Sequence, residues 1–477
     1  MTSEPFVVVG GDAAGLSAAS KCRREAPDRD VIVFEKGRWI SYAHCGQPYF
    51  IAGRVEQLTD LLSLSPEEAA ERGIDLRRGH EVLSVDPDDQ LVRVQDAASG
   101  RVFDQPYGDL LIGTGGRATS GPFDVSGLDG VFTLHGLDDA AAIDAYIADP
   151  DGYDRSRLGD GPVDAERVEH NRTQPAPQTA AIVGAGYVGV EMAEALADRG
   201  LNVHLFQRSS HILPPFGESV ADRVEPHLES KGVSVHTAAP VNRLIGDDDG
   251  RLRAVETPLG DIDAELAIVG VGIVPNTELV QGTAIEYGPG GAIRTDEYGR
   301  TTLPNVFAAG DVATARHAVT GEDVWVPLGL TANRAGRAIG ATVAGAPMPV
   351  GEVAGTAVLK AFDLECGRCG IIDTEEARAA GFDPVSVTID AGSRSGYYPG
   401  NAKTTVTLVG DRETERLLGG SIVGADRAAI RIDTVATALE ADLTVPEVER
   451  LDLAYAPPFS PVWDPILVAA KVLAGKL

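Results

Sequence analysis

Two glycine turns of one design, set far apart in the chain, restrict the fold more than any other feature. "FVVVGGDAAGLSAASKCRR" at 6–24 reads as a buried strand, a glycine turn and a helix, and "DVIVFEK" at 30–36 reads as the next strand. The pattern returns at 179–207 as "TAAIVGAGYVGVEMAEALADRG" and then "NVHLFQ". Each is a βαβ unit, so the chain is predicted to be α/β with two nucleotide-binding, Rossmann-like domains. From about 350 the character changes. "TTVTLVGD" and "GGSIVGAD" read as antiparallel strands, followed by a helix near 427–441, which makes a third, α+β unit.

The second turn carries Gly184, Gly186 and Gly189, a full G-x-G-x-x-G between strand and helix. Glycines there permit a tight turn and let a pyrophosphate approach the backbone, while the helix start offers free N–H groups and partial positive charge. The first turn keeps Gly10 and Gly15 but has Asp12 in the middle place. A carboxylate beside pyrophosphate is repulsive, so Asp12 is expected to turn away and cap the helix. Glu35 ends the following strand, where an acid hydrogen-bonds a ribose diol. Gln207 holds the matching place after the second turn, followed by Arg208. A neutral residue there does not repel a 2′-phosphate and an arginine can pair with it, which favours NADP, with NAD as the alternative.

The stretch "SYAHCGQPYFIAG" at 41–53 contains Cys45, one of only four cysteines, with Cys22, Cys366 and Cys369. Four cysteines in 477 residues make no disulfide framework, and a reducing cytoplasm is expected. The formal charge of −30 argues against nucleic acid and anionic membranes as partners. It suits a halophilic setting, where salt screens self-repulsion; an acidic docking surface for a basic partner is the alternative. No apolar run approaches a membrane span, and the start lacks a signal-peptide pattern. "CGRC" at 366–369 has a metal or dithiol spacing but no second ligand pair, so core or surface thiols are expected and no metal site.

Taken in order, these motifs resemble the pyridine nucleotide–disulfide oxidoreductases. "TTLPNVFAAGDVA" at 301–313 resembles their second FAD fingerprint, in which Asp311 after Gly310 would bind the ribityl chain. "SYAHCGQPYFIAG" is similar to the single-cysteine branch of coenzyme A disulfide reductases, NADH oxidases and NADH peroxidases. No cysteine follows within a few residues of Cys45, so no internal disulfide can form at this position. The resemblance implies FAD, a nicotinamide cofactor, a homodimer, and Cys45 as redox centre, activated at a helix N-terminus. "RSGYYPG" at 394–400 and "AYAPPF" at 454–459 resemble dimerisation-domain segments, implying that Tyr455, with Tyr397 or Tyr398, reaches Cys45 of the other subunit and protonates the leaving thiolate. Ser17, Lys21, Arg24, Ser41 and His44 match positions that contact coenzyme A, although the family's common residue at His44 is asparagine.

The histidine that oxidases and peroxidases of this branch carry in the first glycine loop is Ala13 here. Its absence favours reduction of coenzyme A disulfide, or a similar small disulfide, over oxidase or peroxidase chemistry through a Cys45 sulfenic acid. A redox-sensing flavoprotein acting through partner binding is the reading of another class. A persulfide reductase is expected to bring an extra rhodanese domain, for which a chain ending at Leu477 has no room. The expected division is 1–118 with 272–348 as the FAD-binding domain, 119–271 as the NAD(P)-binding domain, and 349–477 as the dimerisation domain. Within the second lies a polar, acidic insertion, 149–178, read as a surface loop.

Overall fold

The computed structural model describes residues 4–123 and 127–477. Apolar strands before and after each glycine turn pack as the cores of two parallel sheets. In the first, the order is Val306–Ala308, Asp109–Ile112, Phe6–Val9, Val31–Glu35 and Asp75–Arg78. In the second, it is Val233–His236, Asn202–Phe206, Thr179–Val183, Leu266–Val269 and Val131–Phe132. The central strands are buried almost throughout, as sheets covered on both faces require. A three-stranded antiparallel sheet accompanies each, at 80–106 and at 243–263.

The first sheet is assembled from two distant parts of the chain, because Val306–Ala308 pairs in parallel with Asp109–Ile112. The crossing strands Gly116–Ala118 and Ile273–Pro275 pair antiparallel. Helix Ala13–Glu25 packs against helix Gly329–Val343 to close the unit. The contact is backbone to backbone. A Cβ at Gly336 would lie 2.1 Å from the Ala14 carbonyl oxygen, and one at Gly340 2.2 Å from that of Ala18.

The third unit is a five-stranded antiparallel sheet running Ala357–Ala361, Leu364–Gly370, Leu417–Gly424, Lys403–Asp411 and Pro384–Gly392, packed on helices Ala428–Glu440 and Pro465–Ala474. Cys366 and Cys369 lie on one of its strands and are buried in different core clusters. Three residues apart on a strand, they face opposite sides of the sheet, so they form no dithiol pair.

Segment 149–178 departs from the surface-loop expectation. It contains a 3₁₀ turn, Arg155–Leu158, and a helix, Ala165–Arg172. Asp154 and Asp164 cap them, each accepting a backbone N–H with its side chain. Leu158 and Val168 are buried in the core beneath. Polar composition hid these elements because two buried apolar residues and two caps suffice to fold so short a stretch against a preformed surface. Among the described residues, no helix is long and apolar enough to cross a membrane.

The helix contact makes a stability prediction. Gly336→Ala forces two helix backbones apart, an overpacking that costs about 1–3 kcal/mol. The variant should melt below the parent in a thermal scan, whereas Gly329→Ala, whose Cβ would meet nothing within 4 Å, should not.

Candidate active site

Cys45 lies in a 3₁₀ turn, His44–Gly46, that runs straight into a helix of five residues, Gln47–Ile51. Pro48 near the start of that helix suits a position that has no intrahelical N–H bond to lose. The thiol is exposed, while Cys22, Cys366 and Cys369 are buried. So short a helix gives little dipole, and the expected lowering of the thiol pKa is not found. The surrounding protein removes water from part of the side chain and pushes its pKa up, and the carboxylates of Glu191 and Asp311 push it further.

The segment before the thiol is locked to the first glycine turn. Asp12 sits at the N-cap of helix Ala13–Glu25 but makes no capping bond with its side chain. Instead its carboxylate accepts the Tyr42 N–H at 3.3 Å and meets His44 Nε2 at 2.5 Å. The other ring nitrogen of His44 lies 3.1 Å from the His135 carbonyl oxygen, so both are engaged within the chain. Burial opposes protonation of His44, but the Asp12 carboxylate outweighs it and holds its pKa up. Tyr42 stacks on the imidazole at 4.3 Å. Ser41, with φ 43°, makes the left-handed bend that begins the segment. Buried Gln47 donates to the His135 carbonyl at 2.8 Å.

Glu191 comes from helix Tyr187–Asp198, which starts at the second glycine turn. Burial raises its pKa to about 7, and Tyr49 donates to it at 3.2 Å. Sequence reading passed over Glu191, Tyr49, Tyr42 and His135. Only their packing around Cys45 singles them out, and no local pattern announces it.

Both glycine turns have the shape a dinucleotide requires. Gly10 and Gly184 have φ of 109° and 106°. A Cβ at Gly15 or at Gly189 would lie 1.9 Å from the carbonyl oxygen of Gly10 or Gly184, so each helix is pressed onto its strand end. Gly186 faces open space. Glu35 accepts the N–H groups of Gly11 at 2.8 Å and Gly37 at 2.6 Å, which fixes its carboxylate at the turn. Asp311 follows Gly310 beside Ala14, and burial raises its pKa. Gln207 folds back on the second turn, accepting the Ala185 N–H at 3.3 Å and donating to Ser209 at 2.7 Å. Arg208 is exposed and pairs with no carboxylate among the described residues.

Ser17, Lys21 and Arg24 lie along helix Ala13–Glu25. Ser17 donates to Asn333 at 2.7 Å, Lys21 pairs with Glu25, and Arg24 is exposed. The tyrosine segments of the third unit are brought together by one buried arginine. Arg431 donates to the carbonyls of Ser393 at 2.8 Å and Phe459 at 3.3 Å, and to Asp464 at 2.8 Å. Tyr397 is 78% exposed and Tyr455 48%, beside exposed Phe459, Val462 and Trp463; Tyr398 is half-buried. An exposed apolar face of this kind marks an interaction site. Among the described residues, no cluster of His, Cys, Asp or Glu could hold a metal ion.

A sequence model of the family described as pyridine nucleotide-disulphide oxidoreductase matches residues 4–336, and one of that family's dimerisation domain matches residues 356–465. The chain is 38% identical to an NAD(P)H coenzyme A polysulfide/persulfide reductase of Pyrococcus horikoshii, covering 98% of each chain. It is 29% identical to a coenzyme A disulfide reductase of Staphylococcus haemolyticus, covering 95% of this chain and 96% of that one. Its fold superposes with a TM-score of 0.89 on an NAD-dependent persulfide reductase of A. fulgidus, 30% identical, covering 99% of this chain and 83% of that one. The Pyrococcus relative is matched over nearly its whole length, so the expectation that a persulfide reductase brings an additional rhodanese domain does not hold for it.

The charge around the thiol gives a direct test. Glu191→Gln removes a carboxylate near Cys45 and keeps an oxygen for Tyr49 to donate to. The thiol pKa should fall, moving the midpoint of the pH–rate profile for iodoacetamide alkylation of Cys45 downward. An unchanged or higher midpoint would contradict the charge assignment.

Proposed function

The chain belongs to the pyridine nucleotide-disulphide oxidoreductase family, and from that membership and the Cys45 geometry we propose that it reduces coenzyme A disulfide, or a closely related small disulfide, with NAD(P)H. The observation that carries this reading is a single exposed thiol among three buried ones. It can pass electrons only to an external partner, and a mixed disulfide with a small thiol is the simplest such partner. Relatives that are named coenzyme A disulfide reductase support it.

The residues present fit the two cofactors. FAD would be held by Gly10, Gly15, Glu35, Gly310 and Asp311. A nicotinamide dinucleotide would be held by Gly184, Gly186, Gly189, Gln207 and Arg208. Bound FAD supplies a carrier for two electrons between nicotinamide and sulfur. Asp12 does not obstruct it, because its carboxylate is turned onto Tyr42 and His44.

The chemistry at sulfur then balances. The Cys45 thiolate attacks one sulfur of the disulfide; a Cys45–S bond forms, the substrate S–S bond breaks, and one thiolate leaves. Two electrons that originate in NAD(P)H cleave the mixed disulfide and regenerate the Cys45 thiolate with the second thiolate. Each leaving thiolate takes up one proton, so NAD(P)H, one proton and the disulfide give NAD(P)⁺ and two thiols. Tyr455 and Tyr397 or Tyr398, on the apolar face of a second copy, are the proposed proton donors. The acidic groups around Cys45 favour the neutral thiol, so attack needs a group that takes the thiol proton, and departure of each thiolate needs a proton donor. Ser17, Lys21, Arg24, Ser41 and His44 are the proposed contacts for the coenzyme. A homodimer and a cytoplasmic setting go with this reading.

Polysulfide or persulfide reduction is the second reading, favoured by the name of the Pyrococcus relative and by its equal extent. It uses the same thiol and the same electron path, with a sulfane sulfur as the atom attacked.

Cys45→Ser should retain FAD and its reduction by nicotinamide but lose disulfide turnover. The parent isolated without reductant should carry a coenzyme-A-sized adduct on Cys45 by mass spectrometry. Undiminished disulfide turnover in the serine variant would rule out Cys45 as the reacting group. For the dinucleotide, NADPH should exceed NADH in kcat/KM, and Gln207→Glu should reverse the preference by repelling the 2′-phosphate. A parent that prefers NADH strongly would refute the roles given to Gln207 and Arg208.

A further inference from the structure

The 149–178 segment reaches the cysteine turn from two sides, although nothing in its sequence points there. At the far end of the five-residue helix, Arg157 donates through Nη2 to the Phe50 carbonyl at 2.6 Å. Its guanidinium lies over the Phe50 ring, 4.7 Å from the centroid. The same guanidinium grips Asp144 through Nε and Nη2, both at 3.1 Å. Asp144 is 1% exposed and is shared with Arg199, which donates to it at 2.9 Å and to the Ile51 carbonyl at 2.8 Å. The last carbonyls of a helix lack partners in the helix itself, and cations at that end are favourable. Two arginines fastened to one buried carboxylate therefore hold the end of the helix that follows Cys45.

On the other side, Arg167 of the same segment pairs with Asp139 at 2.8 Å. Asp139 accepts the N–H groups of His135 and Gly136 at 3.0 and 3.1 Å. The His135 carbonyl is the group that meets His44 and Gln47 on either side of Cys45. Close packing reinforces the seat. A Cβ at Gly159 would lie 2.1 Å from Thr59 Oγ1, and one at Gly161 2.2 Å from the Trp39 ring.

We propose that segment 149–178 is a brace for the cysteine turn, and that Arg157 is the residue that positions Cys45 through the Phe50 carbonyl and Asp144. The inference rests on Cys45 being the reacting thiol. Positioning matters at this step because in-line attack on a disulfide tolerates little displacement, and an error of about 1 Å can cost on the order of 10²-fold in rate. The nucleotide turns lie on other segments, so flavin reduction by nicotinamide does not depend on the brace.

Arg157→Met and Arg157→Lys, prepared as FAD-loaded protein, test this. In the methionine variant Arg199 still pairs with Asp144, so the fold should survive. The amides of Ala52, Gly53, Arg54 and Val55, which bond back to carbonyls of residues 48–50, should exchange with deuterium at least about threefold faster, by the local opening that loss of a helix-end partner permits. Disulfide turnover should fall about tenfold, a partial loss on the scale of misplacement, with the fall in kcat rather than KM. Stopped-flow reduction of the flavin by nicotinamide should stay near the parent rate. Arg157→Lys, which keeps the charge, should recover part of both losses. Unchanged exchange with unchanged turnover would overturn the proposal, and so would a parallel loss of flavin reduction. If the methionine variant does not fold, the lysine variant is read alone, and parental exchange and kcat in it would overturn the proposal. Failure of the Cys45 reading shows separately, as turnover that survives Cys45→Ser.

Discussion

The whole arrangement hangs on a contact from which side chains have been removed. Helix Ala13–Glu25 and helix Gly329–Val343 meet where Gly336 and Gly340 offer no Cβ to Ala14 and Ala18. These helices flank, in the chain, the whole of the second nucleotide unit. Their close docking, with the pairing of Val306–Ala308 onto Asp109–Ile112, makes one domain of two separated segments. The docking sets Gly310 against Ala14, since a Cβ at Gly310 would touch that of Ala14 at 3.3 Å. Asp311 is thereby carried to the glycine turn, near enough to bear on both His44 and Cys45. A bulkier contact would displace Asp311, whose carbonyl accepts the Trp325 indole N–H at 2.8 Å, from this place.

Two departures from the expected pattern cancel each other. Asp12 stands where the glycine fingerprint wants no side chain, and His44 stands where the family commonly has asparagine. Each alone is awkward: a free carboxylate at a pyrophosphate turn is repulsive, and a half-buried imidazole loses hydration when it takes up a proton. Together they form a pair that turns the carboxylate away from the phosphate cradle and holds the imidazole pKa up. The left-handed Ser41 is where the backbone bends to bring the two within reach.

Much of this was legible. The two strand–turn–helix units announced the parallel sheets, because periodicity and glycine spacing are local signals. The third unit's strands at 403–411 and 417–424 and its helix at 428–440 fell where alternation and turns put them. Cys45 stood out because sulfur is rare in the chain. The structure differed where several segments had to meet. Asp12 was read as a helix cap because a cap is a local device, whereas its partner lies on another segment. The thiol was expected to be acidic from its place before a helix, but the helix proved five residues long and Glu191 arrived from the other nucleotide unit. Segment 149–178 looked featureless because its contribution is a few charged side chains anchored at distant positions.

Helix Tyr187–Asp198 explains why nucleotide turn and thiol keep a fixed relation. Its acidic residues fall at helical spacing along one stripe. Glu191 faces Tyr49 and Cys45. Glu194, one turn on, meets Arg54 at 2.5 Å and Lys360 at 3.0 Å, and accepts the Phe362 N–H at 2.6 Å. Asp198 takes Arg54 again at 2.6 Å. Arg54 closes the cysteine segment and Lys360 belongs to the third unit, so one buried glutamate joins three parts of the molecule. A buried carboxylate is tolerated only when its charge and lone pairs are met, and leaving it unpaired carries a cost. That cost holds the three parts in register. Any displacement of the second glycine turn along the helix axis must therefore move Glu191 against the thiol or break the Glu194 junction, which makes the electrostatic environment of Cys45 a property of the nucleotide-binding helix as much as of its own turn.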